Sequence, residues 1–269
     1  MKDLSRIISG IVLILLVILA TSIGKLGVLF IISLFSFLVL WELGNNFFKF
    51  SLEKKLIGHL FLGAFSLIII YLLDNQKIET NILLSSGMAL NLGFISYLFF
   101  GKKNKLMTNF VKKIFLIPSI FVSLNLLSLI ILLGFGDWKS MMTLILLITY
   151  GMDTGGWFFG KNFGKRKLSP TVSPNKTVEG LVGGALFSGV ISSTFLHFQG
   201  SHIGVSTFTL LTLIAAMTHL GDLAQSKLKR EVGIKDSSSL IPGHGGVFDR
   251  VDSLYFISPF FVFASKYIM

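Results

Sequence analysis

Nine stretches, at about 7–23, 27–48, 57–73, 81–100, 114–135, 140–160, 180–198, 204–224 and 253–268, stay apolar for long distances. Each approaches the ~20 residues that an α-helix needs to cross ~30 Å of hydrocarbon. Nothing else in the sequence restricts the fold so strongly, because a backbone in lipid must satisfy its own hydrogen bonds. The composition agrees, with 52% hydrophobic and only 14% charged residues, where soluble domains carry roughly a quarter charged. The expected fold class is therefore an all-α polytopic membrane protein of about nine transmembrane helices. The last run is short, and Ser258-Pro259 is expected to kink it. The linkers leave no room for a separate soluble domain. The first run lacks a small-residue cleavage site behind it, so it reads as a retained helix and not a removed signal.

The net charge of +11 raises nucleic acid as a partner. Its distribution argues against one. With nine spans and the N-terminus inside, all but Lys25, Lys77, Lys139 and Lys266 of the 24 Lys and Arg fall on one side. The positive-inside rule then predicts an N-in, C-out orientation. Most of the basic charge is orientation, and the basic segment 101–113 is read as a loop meeting the anionic headgroups of membrane lipids. The chain has no cysteine, which excludes disulfides, thiolate metal sites and cysteine nucleophiles.

The two halves differ in chemistry. Residues 1–135 form an N-terminal region of five spans with no chemical motif. Glu42, near the cytoplasmic end of the second span, is the exception. An intramembrane acid is a functional candidate, and so near the interface a structural partner serves equally well. Residues 136–269 form a C-terminal catalytic region of four spans with cytoplasmic loops 161–178 and 225–250. Asp153 stands ~12 Å of helix before Lys161. Glu179 opens the seventh span, Asp222 closes the eighth, and Asp249 and Asp252 open the ninth. Four helices thus bring acids to one depth of one face, as a site requires.

Asp249 and Asp252 are three apart and share a helical face, as do His219 and Asp222. Magnesium takes one or two carboxylates, keeps several waters and completes its shell with substrate phosphates. Asp222 and Asp249 could form such a half-built cage, and two ions there could clamp a phosphoryl group. The other reading pairs these acids with Arg250, Arg230 or Lys229. Pro242-Gly243-His244-Gly245-Gly246 is permissive backbone whose N–H groups can cradle an anion, or a plain turn. Lys176-Thr177 before Glu179-Gly180 joins a cation, a hydroxyl and a helix N-terminus, a good anion site, although Ser173 or Thr177 can equally be an N-cap. Lys161, Lys165, Arg166 and Lys167 read as interface charges, and His219 as a satisfied buried histidine. Gly180, Gly184 and Ser188 form a ladder of small residues suited to close helix packing.

Ser226-Lys227-Leu228-Lys229-Arg230, Lys235-Asp236, Pro242 to Gly246 and Asp249-Arg250-x-Asp252 together resemble, in order and spacing, the motif of the phosphatidate cytidylyltransferase (CDP-diacylglycerol synthase) family. A second block agrees: Asp153-x-Gly155-Gly156-Trp157-x-x-Gly160-Lys161, leading to Ser173-Pro174-x-Lys176-Thr177-x-Glu179-Gly180. The family more often has Ala-Tyr at Gly156-Trp157 and an aromatic at Val178, which touches local packing and leaves the charged positions intact. The resemblance covers roughly 150 to 255; the first five spans share only hydropathy.

The resemblance implies a nucleotidyltransferase of phospholipid biosynthesis, joining CTP and phosphatidate into CDP-diacylglycerol and pyrophosphate at the cytoplasmic face of the inner membrane. The lipid phosphate would attack the α-phosphorus of CTP, a step that needs positioning and charge neutralisation. It also implies Mg2+, one ion or two, held by Asp222 and Asp249, with Asp252 and Asp236 as further ligands or their partners. Lys176, Lys229, Arg230 and Arg250 would neutralise phosphates, while His244, Gly245 and Gly246 shape the pocket. Ser173, Thr177, Glu179, Asp153 and Lys235 would line the substrate site, and a homodimer is expected. An ion- or proton-coupled transporter is the rival class, relaying charge through intramembrane acids. It calls for polar residues at mid-membrane, where the outer half offers scattered Ser, Thr and Asn. An enzyme passing a phosphatidyl group from CDP-lipid to an alcohol would carry Asp-Gly-x-x-Ala-Arg, which this sequence lacks.

Overall fold

Every one of the nine apolar runs lies on a helix. The computed structural model describes residues 2–100 and 106–268; the basic stretch 101–105 lies outside the described residues. The helices are α1 (Lys2–Ile23), α2 (Lys25–Glu42), α3 (Leu52–Asp74), α4 (Thr80–Phe100), α5 (Leu106–Lys113), α6 (Ile117–Gly134), α7 (Trp138–Phe163), α8 (Val178–Phe198), α9 (Val205–Val232) and α10 (Phe248–Ser265). A π-helical turn, Leu43–Phe47, prolongs α2. Among the described residues, five helical segments are long and apolar enough to cross a membrane: Lys25–Phe47, Leu52–Asp74, Ile117–Gly134, Val178–Phe198 and Val205–Val232. The protein is an all-α membrane protein with one small exception.

That exception is an antiparallel hairpin inside the 161–178 segment, where β1 (Lys167–Ser169) pairs with β2 (Ser173–Thr177). Two other expectations are corrected. The segment read as a basic loop contains the short helix α5, which buries Val111 and carries Lys112 and Lys113 in its last turn, where cations favour the helix dipole. The loop expected from residue 225 begins only after Val232. Hydropathy falls at residue 224, but Gln225 to Val232 contains no helix breaker. The helix ends at Gly233, whose left-handed backbone (φ 80°) forms the C-cap. Lys227, Lys229 and Arg230 are therefore helical.

The core runs through α6, α7, α9 and α10, with Leu129, Leu132, Leu144, Ile145, Ile148, Leu211 and Phe261 fully buried. Helices α7 and α8 meet backbone to backbone along the expected small-residue ladder. A Cβ at Gly184 would lie 2.7 Å from the Gly156 nitrogen, and one at Gly180 would lie 2.8 Å from the Gly156 carbonyl oxygen. Ser188 Oγ donates to the Ile148 carbonyl at 2.9 Å across the same seam. This contact fixes the end of α7 against the start of α8 and so sets where the hairpin emerges. Helix α10 inserts among α2, α4 and α6 of the N-terminal region. Asn91 on α4 donates to the Phe256 carbonyl at 2.8 Å, and Tyr255 and Ser36 share a 2.6 Å hydrogen bond.

Candidate active site

The end of α7, the starts of α8 and α10 and the last turns of α9 gather at one end of the bundle, bringing together some of the acids that the sequence placed on separate helices, though not Glu179. Lys176, at the end of β2, donates to Asp222 Oδ2 at 2.6 Å and reaches the His219 carbonyl at 3.5 Å. Ser226, one helical turn beyond Asp222, donates to its Oδ1 at 3.3 Å. Lys229, two turns along α9, donates to Asp249 Oδ1 at 2.8 Å. The Lys229 and Asp249 side chains are 11% and 6% exposed, against 16% and 26% for Lys176 and Asp222. The second pair is thus the better shielded from solvent, and low-dielectric surroundings strengthen its attraction. Asp153, Asp222 and Asp252 lie within electrostatic reach of one another, and Arg250 lies within reach of Asp153. The reading of the acids as ion-pair partners holds for Asp249 with Lys229; Asp222 pairs instead with Lys176.

Asp249 does more than pair. Its Oδ2 accepts from the Ser237 nitrogen at 2.7 Å and the Gly246 nitrogen at 3.0 Å, and Ser237 Oγ stands 2.9 Å from both this oxygen and Glu42 Oε2, its one proton shared between them. The glycine segment is folded back on itself, with Ile241 and Gly245 exchanging backbone hydrogen bonds of 2.8 and 3.1 Å. Gly245 has φ 88°, and a Cβ there would lie 2.9 Å from Asp249 Oδ2. A Cβ at Gly246 would overlap Ser237 Oγ and stand 2.7 Å from both Glu42 carboxylate oxygens. These two positions need glycine because a carboxylate lies directly against the backbone.

The other candidates divide by environment. Thr177 is an N-cap, its Oγ1 accepting from the Gly180 nitrogen at 3.0 Å. Glu179 accepts from the backbone of Lys165 and Arg166 at 3.0 and 3.1 Å and from Arg166 Nε at 3.1 Å, so it ties the hairpin to α8. Arg166 is accordingly more than an interface charge. Arg230 Nη1 donates to the Ile234 carbonyl at 3.2 Å, and its Nε reaches the Val172 carbonyl at 3.5 Å, linking the hairpin to the loop after α9. Arg250 Nη2 donates to the His244 carbonyl at 2.7 Å. His244 Nδ1 meets Ser9 Oγ of α1 at 2.6 Å. Ser173 lies on β2 with Lys176, Lys235 and Asp236 are exposed in the loop after α9, and Asp153 stands ten residues before the end of α7. His219 is buried, as expected, yet neither ring nitrogen has a hydrogen-bond partner among the described residues, so it is not a satisfied histidine.

Glu42 resolves to the structural reading. It is 3% exposed and accepts from Ser237 Oγ at 2.9 Å, Ser238 Oγ at 2.6 Å, the Val247 nitrogen at 2.8 Å and the Phe248 nitrogen at 2.9 Å. Its carboxylate holds the loop that presents Asp249. The acid itself was visible in the sequence, but its partners lie about 195 residues away. Ser237 and Ser9 gave no signal.

Among the described residues, no three His, Asp or Glu side chains gather closely enough to hold a metal ion unaided. Carboxylate oxygens such as those of Asp222, Asp249 and Asp252 are the donor type a hard cation takes beside phosphate and water, while both Asp249 oxygens already accept from Lys229, Ser237 and Gly246. The three carboxylates do not suit a cation caged by protein alone.

A polytopic helical membrane protein with lysine–carboxylate pairs and a glycine-lined turn at one end of its bundle defines the class. The chain belongs to the cytidylyltransferase family, whose sequence model matches residues 4–268. The match extends through the N-terminal helices, beyond the stretch that carries the motifs. The chain is 42% identical over 130 residues to the phosphatidate cytidylyltransferase of Haemophilus influenzae, covering 46% of this chain and 45% of that protein. It is 44% identical over 114 residues to the phosphatidate cytidylyltransferase of Staphylococcus saprophyticus, covering 42% of this chain and 44% of the relative. For the Staphylococcus aureus protein the identity is 45% over 114 residues, with the same coverage. The matched stretch thus spans less than half the length of each of these relatives.

Proposed function

We propose that the protein transfers a cytidylyl group from CTP to phosphatidate, giving CDP-diacylglycerol and pyrophosphate, at the cytoplasmic face of the inner membrane. The observation that carries this reading is the placement of Lys176–Asp222 and Lys229–Asp249 beside the Gly245-Gly246 turn, at the end of an apolar bundle. A lipid phosphate and a nucleotide triphosphate can meet only where hydrocarbon gives way to water. The similarity to phosphatidate cytidylyltransferases supports the same reading.

In this mechanism the lysines exchange carboxylate for phosphate. Lys229 and Lys176 hold the phosphates of the two substrates, and Arg230 and Arg250 add charge at the rim. A phosphatidate oxygen attacks the α-phosphorus of CTP, the bond to the bridging oxygen breaks, and pyrophosphate leaves with its electron pair. Holding the two phosphates in line supplies most of the acceleration. Asp222, Asp249 and Asp252 would hold Mg2+, which when bound supplies charge neutralisation to the phosphates.

Incubating the purified protein with labelled CTP, phosphatidate and magnesium should place label in the extracted lipid. Excess chelator should abolish it, and calcium, with its looser geometry, should support it poorly. Absence of lipid label would overturn the proposed reaction, and full activity in chelator would overturn the metal assignment.

The proposed orientation has nine crossings with the N-terminus in the cytoplasm and the C-terminus outside. Because the chain has no cysteine, single cysteines at the exposed positions His202 and Ser239 report it directly. They should react with an impermeant thiol reagent from opposite faces of sealed vesicles. Labelling of both from one face would refute the nine-span arrangement.

A further inference from the structure

A cavity of about 390 Å³ lies behind the active site, and among the described residues every one that lines it is apolar. Its walls include Leu90, Gly93 and Phe94 of α4, Val111 of α5, Leu228 of α9 and Phe248 of α10. Leu228 immediately precedes Lys229, and Phe248 immediately precedes Asp249. Each of these two helices therefore turns one residue toward the lysine–carboxylate pair and its neighbour toward the cavity. Polar site and apolar chamber share a wall.

We propose that this cavity receives an acyl chain of the phosphatidate substrate; the proposal rests on the reaction proposed above. The described walls offer a nucleotide no polar side chain to bind. Its size falls within the usual ~300–1,000 Å³ of small-ligand pockets. Bilayer tails are as apolar as these walls, so a chain gains little affinity by entering. What it gains is orientation, because a seated chain holds the phosphate next to Lys229 and Asp249. Gly93 sets the room available. It is exposed at the cavity's edge, and a Cβ built on it meets nothing within 4 Å. Gly87, two turns earlier on α4, would instead meet Pro259 at 3.1 Å. Larger side chains at position 93 can therefore narrow the cavity without pushing helices apart.

The test is the chain-length profile of Gly93→Ala, Gly93→Leu and Gly93→Phe, assayed with dihexanoyl, dioctanoyl and dioleoyl phosphatidate. The preferred chain should shorten as the side chain grows. In Gly93→Phe, kcat/KM for the dioleoyl lipid should fall about tenfold or more relative to the dihexanoyl lipid, with the KM for CTP unchanged. Equal loss at all chain lengths, or no loss in any variant, would overturn the proposal. A second measurement needs neither a variant nor turnover. Phosphatidate carrying a photoreactive group on its chain should crosslink wild-type protein at residues 90–94 and 110–118. Unlabelled phosphatidate should displace it and phosphatidylcholine should not. Equal displacement by both would mark a bulk-lipid or detergent site and overturn the proposal. A wild type that crosslinks selectively but puts no label from CTP into lipid would overturn the reaction and leave the cavity standing.

Discussion

Asp249→Asn is expected to lower the proposed cytidylyl transfer by ~10²-fold or more, equivalent to about 2.7 kcal/mol of lost transition-state stabilisation. The protein should still insert and purify, since Asn nearly matches Asp in size. Three donors around Asp249 are committed to it: Lys229 Nζ on one oxygen, and the Ser237 and Gly246 nitrogens on the other. An amide has one oxygen. Whichever way it turns, its NH2 faces either an ammonium group or two backbone N–H groups. The substitution also removes the charge that balances Lys229 and one oxygen offered to a cation. Asp222→Asn should lose activity similarly, and the double variant should be little worse than either, as expected for groups acting as a unit. Asp137→Asn is the control, because Asp137 precedes α7 at its opposite end and makes no capping hydrogen bond. Turnover of a third or more at saturating magnesium would make Asp249 a structural partner only.

Glu42→Ala should cost about 3 kcal/mol of stability, since buried unsatisfied donors cost ~1–3 kcal/mol each and the change orphans the Val247 and Phe248 nitrogens. Ser238 loses its acceptor as well, while Ser237 Oγ keeps Asp249. The damage should be local. Residues 236–248 should lose hydrogen-exchange protection, activity should fall with them, and α6–α8 should keep their protection. Glu42→Gln should lie between, because the amide retains one acceptor but turns a donor toward donors. Wild-type melting temperature and activity in Glu42→Ala would show that the loop is held by other contacts.

The helices were legible because lipid is an unforgiving solvent: an apolar run of sufficient length has few alternatives. The approach of Asp153, Asp222 and Asp252 was legible too, since helices that alternate direction return their ends to the same faces; Glu179, expected with them, instead holds the Lys165 and Arg166 backbone. The α7–α8 ladder could be read from Gly180, Gly184 and Ser188 alone. What escaped was whatever hydropathy does not govern. The amphipathic α5 and the charged last turns of α9 are helical for reasons of propensity and capping, and Gly233 was the available signal for where α9 stops. The hairpin rests on Glu179 gripping the Lys165 and Arg166 backbone, a tertiary contact without a repeating pattern. The same holds for Glu42 with Ser237 and for Asp249 with Gly246. A sequence announces an acid, but its partners depend on which loop the fold sets against it.

The glycine seam between α7 and α8 also determines which parts can move. Two helices whose backbones touch at Gly156, Gly180 and Gly184 have no side-chain layer to shear across, so they behave as one strut. The connection between α9 and α10 is built differently. That connection contains three glycines with positive φ, Gly233, Gly243 and Gly245, and it is fastened by Glu42 on one side and Asp249 on the other. Asp249 holds it through Oδ2 while Lys229 takes Oδ1, so loop and lysine hang on separate oxygens of one carboxylate.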